Sequence, residues 1–355
     1  MYIELMQFSA ILLMVTLSVK LLLIPARYLG ESGTRRSRWL MLAASLLLGL
    51  HFLLQLLLHL RETDVRGAMV LNLAFFIPSA SYYCLAVINL QRRGFLSRTE
   101  RYLPIPVWLL SMALSWWSVI AASIPYACLQ IYYSSRQLRY MKMIRRAMAN
   151  YYETDYTHLL RWMQWIVYIM GSMAIGVPAM IFLHGPLLAV FAILFLLGIF
   201  FLVDCFALYT VSNAPAAVVA AQQNEEEVQT EEADDLQQKS EDRVSESTLH
   251  RVEVAVDGWI SRQGHLQAGL NLPNAAEAIG VPRYLLSAWL KQHRVRYNDW
   301  LTSLRINEAK QVMRAHPDWS NESVAQHCGF SDRTYFQRKF KQLTGLTPND
   351  FLLHA

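Results

Sequence analysis

Apolar and polar positions follow one pattern up to residue 212 and another after residue 249. In the first part, apolar residues run nearly unbroken near 5–24, 39–60, 68–90, 162–183 and 187–211. Each run is long enough for a helix to cross ~30 Å of hydrocarbon. The stretch 102–140 supports two readings, one long helix or a tight hairpin of two short spans turning near 121–125, where Pro125 suits the first turn of a new helix. Past residue 249 the apolar residues become periodic. Trp300, Leu301, Leu304, Ile306, Ala309, Val312 and Met313 recur at helical spacing and predict one amphipathic helix over 298–315.

A helix-turn-helix pattern flanks that helix on each side. On the C-terminal side, 322–327 predicts a short helix with Ser320 as its N-cap. Cys328-Gly329-Phe330 then predicts a turn in which Gly329 takes a positive φ. A second helix follows over 332–343, capped by Ser331 and closed by Gly345, with Pro348 beyond it. Val324, Ala325, Phe330, Phe336 and Phe340 would share a core, leaving Arg333, Thr334, Gln337, Arg338 and Lys341 outside. On the N-terminal side, 274–280 reads as a weaker copy of the first helix and turn, and 281–292 as a helix with Pro282 in its first turn. The expected fold is therefore all-α: a polytopic transmembrane helix bundle, then a domain of two helix-turn-helix motifs joined by a linker helix.

Composition sharpens this division. The 355 residues are 54% hydrophobic and 17% charged, too apolar for an ordinary soluble protein of that size. The net charge of +5 averages three unlike segments, expected as a transmembrane domain over 1–212, an acidic linker over 213–248 and a soluble domain over 249–355. The linker carries Glu225-Glu-Glu227, Glu231-Glu232, Asp234-Asp235 and Glu241-Asp242, and reads as a tether or a solvated helix. Such a run is also placed to compete with DNA for the basic C-terminal surface. Arginines and lysines cluster at 27–38, 92–101 and 136–146. Seven crossings put all three clusters on the side of the C-terminus, whereas six put the first two opposite it. Seven are favoured, and either count leaves the C-terminal domain cytoplasmic. The first apolar run lacks a basic flank and a small-residue cleavage site, so a removed signal peptide is not expected.

Polar residues inside the spans carry bland readings. Asp204 suits the inner headgroup region or a bond to a neighbouring helix, with sensing of protons or a cation, or pairing to Lys20, as the sharper alternatives, and Lys20 is expected to snorkel to the inner interface. His51, Gln55 and His59 share a helix face suited to interhelical hydrogen bonds or a ligand cavity, and Pro78 and Pro178 suit helix kinks. The four cysteines are isolated, without a CxxC pair, and support neither a disulfide framework nor a zinc site. No HExxH, GxSxG or P-loop pattern occurs, so neither an enzyme nor a cofactor is expected.

The exposed face predicted for 332–343 carries base-reading chemistry, since arginine matches guanine O6/N7 in two bonds and glutamine matches adenine. Leu304-Arg305-Ile306-Asn-Glu-Ala309, Val324-Ala325-Gln-His-Cys-Gly329-Phe330-Ser331-Asp332 and Tyr335-Phe336-Gln-Arg338-Lys-Phe340-Lys341, running into Gly345-Leu-Thr-Pro348, occur in that order. With them, residues 270–351 resemble the AraC/XylS family of bacterial transcription regulators. The resemblance implies double-stranded promoter DNA and RNA polymerase as partners. By position it implies that Arg333, Thr334, Gln337 and Arg338 meet base edges and that Lys341, Lys339 and Lys291 meet phosphates. Tyr284, Ser287 and Ala288 are the matching positions of the first motif, where Ala288 departs from the long polar residue often found there. Tyr335 and Trp289 are expected in the core.

Two function classes follow. The first is a membrane-embedded one-component regulator at the cytoplasmic (inner) membrane of a bacterium, with the bilayer, a second copy of the chain and an unidentified signal ligand as further partners. The alternative is a membrane receptor or transporter-like protein whose C-terminal domain is a protein-interaction module. The basic second helix favours the first.

Overall fold

Long apolar stretches and periodic amphipathic ones both satisfy their backbone hydrogen bonds locally, and every regular element among the described residues is a helix. The computed structural model describes residues 2–30, 32–59, 64–153, 160–179, 185–212, 214–238 and 246–354. The chain forms two compact units, residues 1–143 with 159–217 and residues 144–158 with 218–355.

The first unit holds α1 (Tyr2–Leu23), α2 (Ser32–Leu57), α3 (Val65–Gln91), α4 (Arg98–Tyr102), α5 (Pro104–Trp117), most of α6 (Val119–Tyr151), α7 (Arg161–Ala179) and α8 (Gly185–Val211). Small polar side chains join α2 to α3. Ser37 Oγ donates to Ala86 O (2.7 Å), Ser45 and Tyr83 share a 2.8 Å bond, and Asn89 Nδ2 donates to Gly33 O (2.8 Å). Gln55 receives a bond from Gln7 on α1 and donates to Asn72 on α3, so it links three helices. Such bonds pair polar groups that these apolar helices would otherwise bury without partners. Lys20 does not snorkel alone. Its ammonium pairs with Asp204 on α8, because α1 and α8 are neighbours and each charge offsets the cost of the other.

Among the described residues, four helical stretches are long and apolar enough to cross a bilayer: Glu4–Leu23, Gly33–Leu57, Arg66–Gln91 and Ala189–Val211. The expected run at 162–183 ends outside the described residues, and Pro178 lies in the closing turn of α7. The break between α5 and α6 falls at Ser118, not near 121–125. Ser118 is extended (φ −147°, ψ 126°), and its Oγ accepts from the Ala121 N–H (3.4 Å), which starts α6 at Val119, six residues before Pro125. Pro125 sits inside α6.

The second unit contains the last turns of α6, most of α9 (Ala214–Gln238), and α10 (Glu246–Ser261), α11 (Leu272–Ile279), α12 (Arg283–Gln292), α13 (Tyr297–Ala315), α14 (Asn321–His327), α15 (Arg333–Thr344) and α16 (Pro348–His354). The acidic stretch is more than a tether where it is described. It is helical, and Val218, Ala221, Asn224 and Val228 form a buried stripe at helical spacing.

Candidate nucleic-acid interface

Each helix-turn-helix has its own core, and α13 contributes to both. Trp300 and Leu301 at its start pack with Leu272, Ala276, Leu286 and Trp289 under the first motif. Ile306, Ala309, Val312 and Met313 pack with Val324, Phe330, Phe336 and Phe340 under the second. One rigid helix therefore positions both reading helices. Tyr335 and Trp289 are core residues, as expected.

The second motif shows how local sequence aims a side-chain array. Ser320 Oγ accepts from Ser323 N–H (3.0 Å) and starts α14. Gly329 turns the chain at φ 79°, and a Cβ there would lie 2.3 Å from the Leu266 carbonyl oxygen, so glycine is required both by conformation and by space. The cap of α15 is Asp332, not Ser331. Its carboxylate accepts from Thr334 N–H (2.9 Å) and Tyr335 N–H (3.1 Å), a two-bond cap that a hydroxyl one residue earlier cannot match. Gly345 closes the helix at φ 80°. Phe336 and Phe340 hold the inner face, leaving Arg333, Thr334, Arg338 and Lys341 exposed and Gln337 half-buried. Thr334, Arg338 and Lys341 follow i, i+4, i+7 and lie on one face. Arg338 lies over the Tyr335 ring (5.4 Å), a rest that limits its rotamers without hiding its guanidinium. Lys339 is not free for a phosphate: it lies over Tyr335 and 3.9 Å from Asp299, with 13% side-chain exposure.

The first motif is more covered. Asn271 caps α11 and Gly280 closes it at φ 84°. Pro282 is the N-cap of α12, one position before its first turn. Tyr284, Ser287 and Ala288 are half-buried and Lys291 is exposed. Arg283 opens the helix and forms an ion pair with Glu227 of α9 (2.6 Å). Glu225, whose carboxyl burial pushes up, accepts from Asn150 Nδ2 (3.0 Å), and Lys291 and Arg146 oppose that rise. The acidic stretch thus reaches the cations of the first reading helix.

The pairings of three residues of this unit went unread in the sequence: Glu153, Arg305 and Arg283. Glu153 follows the end of α6, yet it is buried in the helix-turn-helix domain. Its carboxylate accepts from the Gly269 and Leu270 N–H groups (3.0 and 2.9 Å) and from Arg305 (2.8 Å). Arg305 also donates to the His265 and Gln267 carbonyls. Asn298 donates to the Glu153 carbonyl (2.7 Å) and accepts from the Tyr335 hydroxyl (3.3 Å), and Tyr152 forms an isolated bridge with Asn271. One signal for Arg305 was present: it sits four residues from both Leu301 and Ala309, on the apolar stripe.

Two helix-turn-helix units on a shared helix, with a capped and basic second reading helix, define a nucleic-acid-binding class of domain. Comparison with known proteins gives the type. Residues 275–353 match the family described as "Helix-turn-helix domain", and this region is a helix-turn-helix domain of the AraC type. The chain is 31% identical over 88 residues to "Regulatory protein PocR" of Salmonella typhimurium (strain LT2), covering 24% of this chain and 29% of that one. It is 34% identical over 91 residues to "Porin thermoregulatory protein EnvY" of Escherichia coli (strain K12), covering 25% and 35%. A match of 32% over 71 residues links it to "Uncharacterized transcriptional regulatory protein YesN" of Bacillus subtilis (strain 168), covering 20% and 19%. The chain thus spans about a third or less of the length of these relatives. No solved structure matches the chain.

Proposed function

We propose that this protein is a membrane-embedded one-component transcription regulator. Its C-terminal domain reads double-stranded promoter DNA in the cytoplasm, and its apolar unit anchors the chain in the inner membrane and senses a signal. The observation that carries the reading is the exposed row Thr334, Arg338 and Lys341 on a helix fixed by a two-bond cap and two buried phenylalanines. Arg333, Gln337 and Arg338 are assigned to base edges, Lys341 and Lys291 to phosphates, and Tyr284 and Ser287 to the first half-site. A second copy of the chain on the same membrane would raise affinity through effective concentration, and RNA polymerase is the expected downstream partner.

The test is selection of a random duplex library on the full chain in nanodiscs, with Arg338→Ala and Lys341→Ala in parallel at two salt concentrations. An enriched motif is expected. Arg338→Ala should relax one position and cost about 1–3 kcal/mol there, while Lys341→Ala should weaken all sequences alike and lower the salt slope by about one. Binding that only tracks salt, indifferent to Arg338→Ala, would remove the sequence-reading function and favour a protein-interaction module.

A further inference from the structure

The membrane unit contains a cavity of about 1010 Å³ between α2, α3 and α5, at the upper end of the range for small-molecule sites. Its origin is chemical. Pro78 in α3 has no N–H to return to the Ala74 carbonyl, which is left open inside an apolar helix. The Trp108 indole N–H of α5 takes that carbonyl instead (3.0 Å), and Ala74, Pro78 and Trp108 all line the cavity. The proline and the indole that answers it thus hold three helices around a gap.

The gap has two unlike ends. Along α2 it runs from Arg36 to Leu47, about 16 Å at 1.5 Å per residue. At one end lie Arg36, Asn89 and Arg101, and no carboxylate is among the described lining residues. Arg36 uses one nitrogen on the Gly94 carbonyl (2.6 Å), which fixes its guanidinium at the rim. Asn89 is fully buried. Its Nδ2 is used by Gly33 and Ser37, and its Oδ1 has no hydrogen-bond partner. The remaining wall is aromatic and aliphatic, with Trp39, Phe75 and Trp108 among its members.

We propose that this cavity binds an anionic lipid of the bilayer, its acid head between Arg36 and Arg101 and its tail along Pro78 and Trp108. Two cations without a lining carboxylate select a negative head, and an apolar wall selects a tail. The site rests on the membrane placement proposed above and names a ligand class for its sensing half.

The experiment uses the full chain in phosphatidylcholine nanodiscs doped with phosphatidylglycerol bearing a diazirine in its tail, with labelled peptides mapped by mass spectrometry. Saturable labelling of 36–47, 74–89 and 104–108 is expected, competed by unlabelled phosphatidylglycerol and not by excess phosphatidylcholine. Arg101→Gln alters an exposed side chain and should weaken it about tenfold, the scale of one charge-assisted bond. Ala43→Phe, which fills the cavity without changing charge, should do the same. Competition by oleate would show that any acid head suffices; its failure would assign the glycerophosphate head. Labelling that spreads evenly over lipid-facing helices, or ignores both variants, overturns the site. Carbonate extraction of the same chain tests placement separately: release from the membrane defeats the placement, whereas an inserted chain with even labelling defeats the site alone.

Discussion

Arg305 carries a charge to a position that is 2% exposed, against Glu153 at 7%. Both are fully engaged, Glu153 by two backbone N–H groups and Arg305 by two carbonyls. Removing one member of such a pair leaves the other charged and unanswered, which costs about 3–5 kcal/mol. Glu153→Ala is therefore expected to lower the melting temperature of the helix-turn-helix domain well below that of the parent, followed by protease resistance of the C-terminal fragment during heating. An unchanged profile would mean that water fills the vacated site. Glu100 plays a similar part in the first unit, where its buried carboxylate meets Arg92, Arg136 and Tyr140. Burial alone would raise its pKa, but the bonds from Tyr140, Ser97 and Arg136 outweigh that and bring it to about 2. Its contribution to stability is therefore present above the ordinary carboxylate range and lost only as pH falls below it toward that value.

Helix boundaries test the capping argument. Asp332→Ala removes both bonds at the start of α15 and is expected to cost about 1 kcal/mol and weaken DNA binding, whereas Ser331→Ala should leave melting unchanged. Equal effects in the two variants would return the cap to Ser331. Helix α9 shows why composition misleads. Its acidic run reads as solvated, yet Val218, Ala221 and Val228, with Asn224 between them, are enough to bury one face, and Glu227 then meets Arg283. Because that pair is partly exposed, it contributes about 0.2–1 kcal/mol. Glu227→Gln should therefore tighten DNA binding by a few-fold at most at low salt, measured by titration of labelled duplex, and the gain should fade as salt rises.

At the scale of the whole molecule, the chain passes between its two units within α6, again at 158–159, and a third time within α9. The proposed membrane placement of the first unit rests on arginine clusters and on Trp116 and Trp117, which are 89% and 92% exposed, as suits an outer interface. A reporter fused after Trp117 is expected to lie outside the membrane, which fixes seven crossings with α5 and α6 as the hairpin. A cytoplasmic signal would exclude that topology.

The helix-turn-helix elements were legible because caps, turn glycines and apolar spacing act over a few residues. Ser320, Gly329, Gly345 and the phenylalanine stripe need only near-neighbour sterics to set φ, start a helix and choose its inner face. The Ser118 break was missed because a hydroxyl cap competes quietly with a conspicuous proline. Tertiary structure alone decided the rest. Glu153 meets Arg305 across 152 positions, Lys20 meets Asp204 across 184, and the cavity behind Pro78 exists only once Trp108 arrives from another helix. Buried charges and open carbonyls demand partners, but the demand carries no address, and only the folded packing supplies one.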